Sequence, residues 1–152
     1  MGMETVLLGY IAEPWVARDV ARSRLFRQSN RRVLAGLPDS DEWPPLIRGL
    51  FAWTEADSLR GGYRGSVIHF GGRFKSIEQE WDQWLTKYEA VLRRLYWESS
   101  VVHLDTEASG SFRFDWWLSS WDGLLASPPQ LPSAWEFRGP FRRWADATQS
   151  GA

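Results

Sequence analysis

Between Ser76 and Trp117 a strongly amphipathic helical pattern runs straight into an alternating one, and this stretch constrains the chain more than any other. Ser76 and Gln79 have the spacing of a capping box, which predicts a helix starting there. Ile77, Trp81, Trp84, Tyr88, Val91, Leu92 and Leu95 then recur at steps of three and four, one face of a helix that must be buried. Glu78, Glu80, Asp82, Lys87, Glu89 and Arg94 fall mostly elsewhere. With Glu89 four residues before Arg93, in the favourable acid-before-base order, they read as a solvated face.

After Trp97 the period becomes two. Val102, Leu104 and Thr106 share one side of a strand, with Val101, His103 and Asp105 on the other. Glu107 to Gly110 turns the chain into Phe112, Phe114 and Trp116, so a hairpin presents matched apolar sides to the helix.

The rest of the chain adds elements to this nucleus. Thr5 to Ala12 reads as a first strand, and Pro14 beyond it suits the first turn of a helix from about Trp15 to Leu34, with a break near Ser29-Asn30. Gly36 and Pro38 end that helix. Leu46 to Trp53 is ambiguous between a short helix and a strand. Ser66 to Phe70 is a strand, and Trp135 to Phe137 adds an edge strand beyond a Pro-rich region. Gly61 to Gly65 precedes a strand and reads as a turn, not a phosphate loop. The expected fold is α+β: an antiparallel sheet of four to six strands with two principal helices packed on one face, in a single domain over residues 1–144, followed by a frayed tail from Ala145 to Ala152.

Composition removes whole classes of chemistry. The chain has no cysteine, which excludes disulfides, thiol catalysis and thiolate metal sites. Its 18 basic and 19 acidic residues balance, so no overall field favours nucleic acid or an anionic membrane. No run reaches the roughly 20 apolar residues of a membrane span, and Thr5 to Ile11 is too short and lacks the basic lead of a signal peptide. The expectation is a cytoplasmic protein, a monomer or weak homodimer, needing no cofactor. Eleven tryptophans raise the odds of a binding surface. Trp81 and Trp84 belong to the core, whereas Trp116, Trp117 and Trp121 cannot all point one way.

Three clusters carry candidate function. Arg18, Arg22, Arg24, Arg27, Arg31 and Arg32 face Asp19 alone, which would suit an anion, but the neutral total makes a solvated helix side the commoner outcome. His69 and His103 occupy equivalent places in strand-like segments, and His103, Asp105 and Glu107 alternate onto one side. These four could ligate a divalent ion or run acid-base catalysis in a small metal-dependent or hydrolytic enzyme, although alternating polar residues are also what a solvated strand side shows. There is no Walker loop, GxSxG elbow, HExxH or GxGxxG. Third, Asp39, Asp41, Glu42 and Trp43, with Glu55 and Asp57, cluster carboxylates around an aromatic residue.

The run from Tyr63 to Glu107, YRGSVIHFGGRFKSIEQEWDQWLTKYEAVLRRLYWESSVVHLDTE, with GYI near the start and the Trp-rich second hairpin strand, resembles small bacterial immunity proteins of polymorphic and contact-dependent toxin systems. The resemblance covers about half the chain and rests on glycines, aromatics and a cap. It implies a stoichiometric inhibitor that occludes the active site of one cognate toxin, often a nuclease, with no catalytic residue of its own. A nuclease groove is basic, so Asp39, Asp41, Glu42, Trp43, Glu55 and Asp57 are the expected partner-binding residues.

Overall fold

The computed structural model describes residues 3–15, 19–53, 66–118 and 135–150. Its centre is one antiparallel sheet of six strands: β1 (Glu4–Ala12), β2 (Phe51–Trp53), β3 (Val67–Lys75), β4 (Ser99–Thr106), β5 (Gly110–Leu118) and β6 (Trp135–Arg138). Their order is β2-β3-β1-β4-β5-β6, so the first strand lies in the middle. Among the described residues three α-helices accompany the sheet: α1 (Val20–Ala35), α2 (Trp81–Leu92) and the seven-residue α3 (Trp144–Ser150). Thus the segment expected to be a frayed tail carries a helix. Leu46 to Trp53 resolves into a 3-10 turn at Arg48–Leu50 followed by β2. The turn expected at Gly61 to Gly65 lies outside the described residues, as does Trp121.

The hairpin forms in the expected register, Val102 opposite Phe114 and Leu104 opposite Phe112. Alternation sends Leu7 and Ile11 of β1, Ile68 and Phe70 of β3, Val102 and Leu104 of β4, and Phe114 and Trp116 of β5 to one side, where all are buried. Gly9 shares that side of β1. A Cβ there would lie 2.3 Å from Cζ of Phe70, so the missing side chain is what lets the Phe70 ring cross the central strand. The opposite side is more open: Leu8 is 56% and Tyr10 38% exposed. Trp116 is fully buried, whereas its neighbour Trp117 is half-buried on the other side under the guanidinium of Arg138.

Helix α2 packs on the buried side through rings. Trp81 stacks on Trp84 at 4.9 Å and Trp84 on Tyr88 at 5.0 Å, the i, i+3 and i, i+4 neighbours of one helical face. Tyr88 meets Phe70 and Trp116, and Trp81 meets Phe114, which joins the helix to β3 and β5. Each buried ring of this size contributes on the order of 2–3 kcal/mol by area alone. The Tyr88 hydroxyl shares a hydrogen bond with Ser100, whose own hydroxyl donates to the Tyr10 carbonyl. Burial pushes the Tyr88 phenol far above its ordinary range, against a smaller opposing pull from Ser100, so it stays neutral.

Two features of this helix differ from expectation. No capping box forms: Ser76 adopts a left-handed backbone with φ 46°, and its N–H and hydroxyl both donate to the Met3 carbonyl. A 3-10 turn over Ile77–Glu80 leads into the α-helix instead. Glu78 and Glu89 are not solvated but buried. Glu78 accepts from the Thr5 hydroxyl, and Glu89 accepts from the Trp116 indole N–H and from Arg142, not from Arg93.

Helix α1 is held differently. Asp19 caps it by accepting the Arg22 N–H at 2.9 Å, so it starts later than Pro14 suggested and runs through Asn30 without a break. Its inward residues include Ser23, Arg27 and Asn30 beside Phe26 and Leu34. Asn30 donates at 2.8 Å to Glu13 and to the Tyr96 carbonyl and accepts the Tyr96 N–H. Glu13 in turn accepts from the Ser66 hydroxyl. This fully bonded knot ties α1 to the end of β1, the start of β3 and the passage from α2 to β4. Phe26 stacks on Tyr96 beside it at 4.4 Å. Among the described residues no helix is long and apolar enough to cross a membrane.

Candidate functional site

The expected acidic surface is a loop between α1 and β2, and it is built, not slack. The Pro38 carbonyl accepts the Arg48 N–H at 3.0 Å, which closes the loop at its base. The Arg48 guanidinium donates to the Ala35 carbonyl and to Asp39. Inside the loop, one Asp41 oxygen accepts the Glu42 N–H at 2.8 Å and the other accepts the Leu46 N–H at 3.1 Å. Such side-chain to backbone bonds fix a turn locally.

The clamp comes from α2. Lys87 donates to Asp41 at 2.9 Å, to the Glu42 carbonyl at 3.0 Å and to the Pro44 carbonyl at 2.9 Å. All three of its protons have an acceptor, so an apparently solvated helix residue is the bolt of the loop. The Lys87 hydrogen bond, reinforced by the Leu46 N–H, holds the Asp41 carboxyl below the usual carboxylate range.

Trp43 stands at the tip. The buried tryptophans Trp81, Trp84, Trp97 and Trp116 have no exposure and Trp135 has 6%, while Trp43 is 47% exposed, the one tryptophan that open among the described residues. It is nevertheless oriented: its indole N–H donates to Glu80 at 3.1 Å, and its ring meets the edge of Phe74 at 6.2 Å. Asp39 is paired with Arg48 and Asp41 with Lys87, leaving Glu42 and Glu80 as carboxylates without an ion pair among the described residues. The structure therefore brings Asp39, Asp41, Glu42 and Trp43 together but pairs two of these three carboxylates with a cation. Glu55 and Asp57 lie outside the described residues. Lys87 and Glu80 carried no signal in the sequence, because each reaches the loop from a helix about 40 residues away.

The histidine and carboxylate cluster does not assemble. His69 lies opposite Tyr10 and His103 opposite Leu8, so β1 separates β3 from β4 and the two histidines never become neighbours across a strand pair. Asp105 accepts from the Ser111 hydroxyl at 2.9 Å, and Glu107 accepts the Glu4 N–H at 2.8 Å. Among the described residues no three His, Cys, Asp or Glu side chains converge as a metal-holding group. The arginine-rich helix is also not a single face, since Arg27 is buried while Arg24 and Arg32 are exposed. No protein-family model, curated protein or solved structure matches this chain.

Proposed function

We propose that this chain is an immunity-type binding protein that neutralises a cognate bacterial toxin by stoichiometric occlusion, with the Trp43 loop as its contact surface. The observation that carries this reading is a half-exposed tryptophan on a loop already fixed from within. An exposed indole offers a large rigid contact area, and a prepaid loop conformation removes much of the ordering cost of association. Glu42 and Glu80 beside it complement a basic groove, such as a nuclease toxin presents to phosphates, and would speed capture. In this reading the protein acts in the cytoplasm, as a monomer or weak homodimer, without cofactor or nucleic acid.

The test is coexpression with the product of the gene immediately upstream, followed by titration calorimetry and a growth-rescue assay. One-to-one nanomolar binding, about 12 kcal/mol at the standard state, is expected. Trp43→Ala should cost at least about 2 kcal/mol of it, the range of a central anchor. Undiminished binding and rescue by Trp43→Ala would remove the loop from the contact, and absence of any binding would remove the toxin partner.

A further inference from the structure

A second feature lies at the other end of α2, about 20 Å along the helix axis from Glu80 at 1.5 Å per residue. There a cleft of about 380 Å³ is lined by Glu89, Arg93, Trp135, Phe137 and Arg142. That volume falls at the small end of ligand pockets, which run from about 300 to 1,000 Å³. The proposed toxin contact makes no use of it.

The wall comes from β6, where Trp135 and Phe137 alternate onto the same side. Each carries an arginine on its face. The Arg93 guanidinium lies 5.4 Å from the Trp135 centroid, and the Arg142 guanidinium 4.8 Å from that of Phe137. The floor is Glu89, only 8% exposed, held by the Trp116 indole N–H at 3.1 Å and by two N–H groups of Arg142. Glu89 thus balances Arg142. Arg93 has no carboxylate partner among the described residues, so the cleft keeps one uncompensated positive charge.

Stacking uses the face of a guanidinium and leaves its in-plane N–H donors free, in a fork that matches two oxygens of one anion. Because a ring holds Arg93, little of its rotamer freedom remains to be lost when it binds. We propose that this cleft binds a small oxyanion carried on a planar apolar group, a phosphate ester or a carboxylate, with Arg93, held against the buried Trp135, as the bidentate donor and the half-buried Phe137 receiving the apolar part.

The experiment titrates the full chain with phenyl phosphate and, separately, benzoate, following calorimetry and intrinsic tryptophan fluorescence. Saturable one-site binding of at least one probe is expected, weakened at least about tenfold in Arg93→Gln, as loss of a bidentate charged pair requires. Binding of phenyl phosphate alone identifies a phosphate ester as the natural chemistry, and of benzoate alone a carboxylate. Arg93→Lys keeps the charge without the fork and should be several-fold weaker than the native protein, giving a second reading should Arg93→Gln fail to fold. Trp43→Ala should leave probe affinity unchanged, which separates this site from the toxin contact. Absence of saturable binding by both probes, or equal affinity in both Arg93 variants and the native chain, overturns the proposal.

Discussion

Helices α1 and α2 are both amphipathic in outline, yet they are attached by opposite physics. The buried face of α2 is a column of rings, Trp81 on Trp84 on Tyr88, whose attraction is non-directional and tolerates small shifts. The buried face of α1 centres on Asn30, which bonds Glu13 and both backbone groups of Tyr96. An apolar face sets how much stability a helix supplies, whereas a buried polar knot sets where the helix must sit, since every misplacement leaves groups without partners.

The comparison can be broken most severely at α2. Trp84→Ala should cost about 3–5 kcal/mol, the range for emptying an aromatic site in a packed core, measured by urea unfolding. Trp84→Phe sharpens the point. The Trp84 indole N–H is buried with no hydrogen-bond partner, so Phe sacrifices volume but no bond and should recover most of that loss. If Phe were as damaging as Ala, the column would be holding α2 by something other than apolar contact.

At α1 the expected effect is smaller but of a different kind. Asn30→Ala removes little apolar area and leaves Glu13 and the Tyr96 N–H short of partners, at about 1–3 kcal/mol. Its signature is local. Amide exchange should rise in α1 before the sheet is affected, and a uniform rise across α2 would show that the two attachments are one cooperative unit.

The smallest effect tests the clamp by which α2 also orders a loop. Asp41→Asn should cost on the order of 0.5 kcal/mol, as for a partly screened ion pair. The Asp41 carboxyl titrates below its unfolded value, so its contribution is present in full above the ordinary aspartate pKa of about 3.9 and disappears as the pH falls through the lower folded value. The stability difference between the native chain and Asp41→Asn should therefore shrink on acidification. A difference that widened would contradict the assignment.

The same contrast explains what could be read from the sequence. The ring column and hairpin were legible because Trp81, Trp84 and Tyr88, then Leu104 and Phe112, repeat with the periods of helix and strand. Asn30 was not, since a polar residue at an inward position looks like a helix break until its partners from distant segments are known. Ser76 misled for a related reason. Its spacing to Gln79 fits a local cap, but the Met3 carbonyl, brought alongside by β1, takes its donors. Of the acidic loop, the grouping of Asp39, Asp41, Glu42 and Trp43 is visible in the sequence, while Lys87, which decides its shape and cancels part of its charge, has the spacing of a solvated helix residue. The central position of β1 had no local signature at all.

That central position also governs the order in which the molecule can be completed. Gly9 lies opposite Phe70 on one flank and Val102 on the other, so β1 precedes both partners in synthesis. At about 5–20 residues per second, roughly 5–20 s separate its emergence from that of β4. Until β3 emerges, Val6, Leu7, Leu8 and Ile11 belong to an apolar segment with neither strand partner, and the edge that β4 takes stays open for the whole interval, a substrate for chaperones and for misplaced pairing. The sheet then closes through contacts distant in sequence, the topology associated with slow folding. Yield in the cell is thus expected to depend on how well Glu4–Ala12 is sheltered, and only afterwards on the strength of the finished core.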